Sequence, residues 1–297
     1  MRCDTCLFPC YEISDSDFPY DYTYPSFNPN DPDQLAYYRH DNLALAPGSE
    51  VWIMDFCTGG QQLITDNAFY GLDWGANGWL AYTGTDQNIW KVKSNGDSLA
   101  QLTFIGDYNR FPKWNPNGER IAFQSEIMGA TFFFISDEHG KLTDTLEELS
   151  YAGAWSWIGN DRICYMVADM GMPYTGNLNY YDLSSGEVHF LHQIYYGDTS
   201  SHLLVVNTSF LQSENKIVWC GLGAVGLTDL STGSYQIIHR GIIQEWFEHL
   251  TVRPGTGQLL INKGSRYYVD PCLYDSELGF YLIDSDGKNP RKVDLPE

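Results

Sequence analysis

Positive charge is scarce in this chain, and long apolar runs are missing. Only 17 lysines and arginines stand against 38 aspartates and glutamates in 297 residues, a formal net charge of −21. So acidic a molecule repels phosphate backbones instead of displacing their counterions, which excludes nucleic acid as a partner. A cation, a sugar or a basic protein surface stays open, as does plain solubility. No stretch approaches the ~18 apolar residues that a membrane-spanning helix needs, so no transmembrane segment is expected. A secretory leader is absent as well. There is no sustained 3.6-residue apolar period, and the best helical candidate, DTLEELS, is only about two turns long. Neither G-x-S-x-G nor H-E-x-x-H occurs, which removes the serine-hydrolase elbow and the zinc-peptidase helix.

What the chain does hold is 15% aromatic residues, 28 glycines and 13 prolines, the composition of many short strands cut by turns. Gly221, Gly223 and Gly226 match G-x-G-x-x-G after the run IVWC. A dinucleotide fingerprint needs its third glycine to open a helix. Here LTDLSTGSYQII follows, which alternates like two strands around a Ser-Thr-Gly turn, so the glycines are assigned to turn geometry. Of seven cysteines, Cys3, Cys6 and Cys10 lie in a polar leader and supply at most three thiolates, one short of a structural zinc site. A disulfide within that cluster, or from it to Cys272, suits an oxidising compartment. Cys57, Cys164 and Cys220 sit in strand-like runs and read as small buried side chains.

The informative pattern is internal. FPKWNPNGERIAFQSE from Phe111 joins an aromatic residue, an Asn-Pro-Asn-Gly turn and an apolar strand. The same order recurs in YPSFNPNDPDQLAYYR, YGLDWGANGWLAYTG and AWSWIGNDRICYMV, and more loosely in VNTSFLQSENKIVWCG and HLTVRPGTGQLLINKG. The apolar residue before each turn serves as an anchor: Phe27, Trp74, Trp114, Trp157, Phe210 and Val252, spaced 47, 40, 43, 53 and 42 residues apart. Six to eight positions later the next strand begins, at Leu35, Leu80, Ile121, Ile163, Ile217 and Leu259. Each copy continues into a second hairpin whose turn carries glycine (TGG, SNG, EHG, SSG, STG, SDG).

Four strands per 40 to 50 residues is the period of a propeller blade. One meander cannot bury both of its faces, so blades stack around an axis with the anchors between them. The expectation is an all-β, six-bladed β-propeller of four-stranded antiparallel blades. Residues 1–22 are the leader, and blades cover approximately 23–66, 67–104, 107–147, 150–192, 202–239 and 246–295. Two routes close the ring: residues Cys10 to Ile13 add a strand to the last blade, or RKVDL completes it unaided.

These copies resemble the WD40-like repeat of the TolB family, roughly P-x-W-S-P-D-G-x-x-I-A-F followed by I-Y-x-M-D. Pro112, Trp114, Pro116, Gly118, Ile121, Ala122 and Phe123 carry the match, as do Pro25, Phe27, Pro29, Leu35, Ala36 and Tyr37, with Trp52, Met54 and Asp55 in the following strand. The resemblance covers about Tyr24 to Leu295. It implies a protein of periplasmic or cell-surface type. Independently, the abrupt polar start MRCDTCLFPCYEISDSDFPYDY reads as that of an exported protein whose signal is not in this chain, and a lipid anchor would be carried by such a leader. The role the resemblance implies is a binding or scaffold module for a protein or peptide partner. The chain departs from TolB in having no N-terminal α/β domain.

Side chains at the start of each innermost strand should face the channel mouth. These are Tyr24, Tyr70, Asp107, Asn109, Arg110, Tyr151, His202, Glu248 and His249. The tyrosines would offer flat surfaces to a peptide or an oligosaccharide, or would plug the channel. The reading adopted has no catalytic residue and no cofactor. The alternative is a carbohydrate-active lyase or glycosidase using His202, Glu248 and His249, with a divalent cation.

Overall fold

Among the described residues, turns separate 24 short strands, all antiparallel to their neighbours. A computed structural model describes residues 20–41, 48–169, 175–195, 205–221, 223–240, 247–263 and 279–295. The first blade is β1 (Tyr20–Asn28), β2 (Asp31–Asp41), β3 (Ser49–Asp55) and β4 (Gln61–Ala68). The second is β5 (Tyr70–Trp74), β6 (Trp79–Thr83), β7 (Ile89–Lys93) and β8 (Ala100–Gln101), and the third β9 (Tyr108–Trp114), β10 (Arg120–Ile127), β11 (Ala130–Asp137) and β12 (Leu142–Thr145). Blade four is β13 (Ala154–Trp157), β14 (Arg162–Asp169), β15 (Thr175–Asp182) and β16 (Glu187–Tyr195). Blade five is β17 (Val205–Leu211), β18 (Lys216–Gly221), β19 (Ala224–Asp229) and β20 (Tyr235–Arg240). The sixth is β21 (Phe247–Val252), β22 (Leu259–Lys263), β23 (Gly279–Ile283) and β24 (Arg291–Lys292). DTLEELS forms a single 3-10 turn at Glu147–Leu149.

Each blade is one sheet whose strands follow chain order, so the six-bladed all-β expectation holds. The anchor arithmetic also holds at the level of register. Phe27 pairs with Leu35, Trp74 with Leu80, Trp114 with Ile121, Trp157 with Ile163, Phe210 with Ile217 and Val252 with Leu259. Six different turns thus return the chain to one equivalent cross-strand pair.

The apolar core is not one mass but six interfaces between consecutive blades. Trp74, Leu80 and Tyr82 of blade two pack on Tyr38, Val51 and Ile53 of blade one. Trp114 and Phe123 meet Ala81, Ile89 and Leu102, and Trp157 and Ile163 meet Phe133 and Ile135. Trp219 and Ile217 cover Met166 and Leu178, and Phe247 and Leu259 cover Val218 and Val225. The last interface closes the circle: Phe27, Leu35 and Tyr37 lie against Leu260, Phe280 and Leu282. Every anchor sits in the gap shared with the preceding blade. Burying an aromatic or branched side chain there is the main stabilising term.

Closure uses packing rather than a borrowed strand among the described residues. RKVDL supplies β24, which pairs with β23 as the fourth strand of the last blade; Cys10 to Ile13, on which the other route rests, lie outside the described residues. Arg253 of blade six bonds to the first blade, donating to the carbonyl of Pro32 at 2.9 Å and pairing with Asp33. Asn262 Nδ2 donates to the carbonyl of Tyr22 at 3.0 Å.

Two local readings are corrected. Gly223, at φ 73°, is a turn residue, but Gly226 is not: it pairs with Trp219, and a Cβ there would lie 2.1 Å from the indole. The third glycine therefore makes room for an aromatic ring. Cys57 is exposed in the turn after β3, its Sγ donating to Asp33 Oδ2 at 3.1 Å, while Cys164 and Cys220 are buried and free. Cys3, Cys6, Cys10 and Cys272 lie outside the described residues.

Truncating an anchor should open a void between two blades. Trp114→Ala is expected to destabilise the fold by about 3–5 kcal/mol, read from urea unfolding. The same change at Phe104, 78% exposed, should move stability by less than ~0.5 kcal/mol.

Candidate functional site

The six innermost strands, β1, β5, β9, β13, β17 and β21, neighbour one another in a closed circle. They wall a cavity of 960 Å³ that follows the propeller axis. At one end its rim is made by the turns that leave these strands, with Pro29, Asn30, Pro116, Gln212, Ser213 and Gly255 exposed. At the other end the lining includes Tyr24, Phe111, Glu248 and His249.

Those deep side chains are placed by a defect repeated from blade to blade. The innermost strand shifts register at Thr23/Ser26, Tyr70/Leu72, Val205/Asn207 and Phe247/Leu250, and β9 slips against β10 between Ala122 and Gln124. A bulge bends its strand and re-aims side chains. Tyr24, Gly71 and Phe111, each three residues before an anchor, take φ values of 50°, 67° and 55°. Left-handed backbone is cheap for Gly71 but costs the aromatic residues on the order of 1 kcal/mol each. At Gly71 a Cβ would also come within 2.6 Å of the Phe111 Cα, so glycine lets β5 and β9 approach.

The product is an aromatic floor. The Tyr24 ring lies 4.2 Å from His249, 5.3 Å from Tyr38, 6.3 Å from Tyr70 and 6.4 Å from Phe111, centroid to centroid. Tyr70 in turn meets Tyr108 at 6.3 Å and Phe111 at 6.2 Å. Burial drives the Tyr24 hydroxyl pKa well above its usual value, so the phenol stays neutral. The His249 ring is pushed down to about 3, first by burial and then by the Lys113 charge, and is neutral at physiological pH.

Of the residues singled out from the sequence, Tyr24, Tyr70, Glu248 and His249 come together around this floor. Arg110 stands over the rings of Tyr108 and Phe111, at 5.4 and 5.7 Å. Three others do not join. Asn109 is wholly buried, its Nδ2 donating to the carbonyl of Ile105 at 2.8 Å and its backbone N–H to that of Gln87 at 2.9 Å. Asp107 accepts the Met128 N–H at 3.1 Å and so braces an outer hairpin. Tyr151 is 84% exposed and lines no part of the cavity. His202 lies outside the described residues. Among the described residues no group of three or more His, Cys, Asp or Glu side chains is placed to hold a metal ion.

Midway along the wall runs a polar ring that the sequence reading passed over: Ser26, Asp73, Lys113, Ser156, Ser209 and Thr251, each the residue before an anchor. Two charges at one repeat position were the available signal. Ser26 Oγ donates to Asp73 Oδ1 at 3.3 Å and accepts the Trp74 N–H at 3.0 Å, while Asp73 Oδ2 accepts the Trp114 N–H at 2.7 Å. Lys113 Nζ donates to the carbonyl of Trp155 at 2.6 Å, and Trp157 Nε1 donates to the carbonyl of Lys113 at 3.0 Å. Blades one to four are stitched at their inner edges by these bonds. Burial pushes Asp73 up to about 6 against the pull of Lys113, and lowers the Lys113 ammonium pKa, opposed by Asp73.

These shifts act on stability in opposite directions. Folded Asp73 holds its proton more tightly than the unfolded value of 3.8 allows. Its contribution is therefore complete below about pH 4 and lost as pH rises through about 6. His249 is depressed, so its contribution is present above about pH 6.5 and lost as pH falls towards 3. Asp73→Asn removes only the first effect. Its stability relative to the parent should rise by on the order of 2 kcal/mol between pH 4 and pH 7.5, measured by urea unfolding at both values.

No protein-family model matches the chain, and no curated protein matches its sequence. Solved structures do match its fold. TolB from Acinetobacter baumannii aligns at 14% identity and a TM-score of 0.56, over 75% of this chain and 56% of its own, so the chain spans little more than half of that protein. A putative TolB from Agrobacterium tumefaciens aligns at 15% identity and a TM-score of 0.61, covering 83% of this chain and 88% of the other. The β-propeller domain of the Trilobed protease from Pyrococcus furiosus, described as having an open velcro topology, aligns at 12% identity and 0.58, over 94% and 84%. No helix among the described residues is long and apolar enough to cross a membrane. In fold, the chain is a TolB-like six-bladed propeller.

Proposed function

We propose that the protein is an exported, non-enzymatic binding module that takes part of a protein or peptide partner into the channel through the turn face. The observation that carries this reading is the cavity itself: 960 Å³, walled by six adjacent innermost strands, floored by aromatic rings and rimmed by exposed turns. A pocket of this size with an apolar floor and a few placed polar groups is the form that ligand sites take. Stacked blades hold the rim before anything docks, so little ordering entropy opposes binding. Turn-to-turn bonds strengthen this: Asn30 Nδ2 donates to the carbonyl of Ala76 at 2.9 Å, and Asn77 Nδ2 to that of Gly118 at 2.6 Å.

Photo-crosslinking in the cells that make the protein tests the reading. A benzoylphenylalanine at Asn30 or Gln212, on the rim, should give one discrete adduct. The same group at Met128, 95% exposed on an outer hairpin, should not. Equal labelling from both positions, or turnover of an oligosaccharide lost in Glu248→Gln, would count against it.

A further inference from the structure

One side chain in the channel is out of place in so acidic a molecule. Lys113 lines the cavity, yet among the described residues no carboxylate comes within ion-pair distance of its ammonium. Its one hydrogen bond is to the carbonyl of Trp155, whose ring also lies 5.2 Å away. An ammonium carries three N–H donors. Asp73, in the same ring, attracts the ammonium, but not at ion-pair distance. Desolvating a charge without pairing it is costly, so the position favours an anion brought from outside.

A second observation points the same way. Asp73, the carboxylate of the polar ring, is already engaged by Ser26 and the Trp114 N–H. The other members of that ring, Ser26, Ser156, Ser209 and Thr251, carry no charge.

We propose that Lys113 anchors a carboxylate of a ligand entering from the turn face. The assignment rests on the reading of the cavity as a binding site and specifies the chemistry that site takes. A carboxylate fits better than a more highly charged anion because the ring offers one ammonium, with Asp73 and Glu248 lining the same cavity to repel further negative charge. A free peptide C-terminus and a small organic acid both present that group.

Calorimetry on the intact protein decides it, with three probes: the tripeptide Gly-Gly-Phe, its C-terminal amide, and glucuronate. Binding of the free peptide or of glucuronate, weakened about tenfold or more in Lys113→Met and largely kept in Lys113→Arg, is the expected result. Which of the two binds identifies the source of the carboxylate. In the unaltered protein, the bound probe should also protect Lys113 from an amine acylating reagent, read by mass spectrometry, a test that needs no variant to fold. Equal binding of the amide, equal binding by Lys113→Met, or no binding by either carboxylate would overturn the assignment. Amide binding confined to the channel would still leave the binding-module reading standing. Absence of rim adducts in cells would remove that reading separately.

Discussion

Everything in this molecule follows from the fact that a four-stranded meander has two faces and can bury neither alone. Each blade supplies an anchor and a set of branched side chains to one neighbour and receives the same from the other. The requirement ends only when the last blade meets the first. Here it is met by Phe27, Leu35 and Tyr37 against Leu260, Phe280 and Leu282, with Arg253 reaching across to Pro32 and Asp33. Among the described residues every blade is built from consecutive strands, and the contact between the first and last blades is made by side chains.

The same constraint explains which parts of the structure were legible in the sequence. Anchors and turn residues repeat because every blade solves one packing problem, so the spacing of Trp74, Trp114 and Trp157 carried blade number, strand order and even the pairing with Leu80, Ile121 and Ile163. Gly226 was misread because a glycine that accommodates the Trp219 ring looks, in a one-dimensional pattern, like a glycine that makes a turn. Cys57 was misread because the strand before it stops at Asp55, whose carboxylate caps the N–H groups of Cys57 and Thr58 and forces the turn.

The site was legible only in part, for a geometric reason. Tyr24, Tyr70 and His249 were placed near one another because they precede anchors, but their orientation depends on bulges that no residue type announces. Asn109 shows the opposite failure: its position in the repeat suggested the mouth, whereas its amide serves loops of its own and the preceding blade. Asp73 and Lys113 were overlooked since a single charge in a strand pattern reads as an exposed face. In a propeller the innermost strand's free edge looks onto the channel, and polar residues there bind one blade to the next or wait for a ligand.

If packing alone closes the ring, the first and last blades must be as firmly held as those between them. Native-state hydrogen exchange on the amides of β1, β5, β9, β13, β17 and β21 measures this directly. The account predicts that all six innermost strands open together, at the free energy of global unfolding. Exchange from β1 and β21 at a much lower free energy, with β5 to β17 still protected, would contradict it.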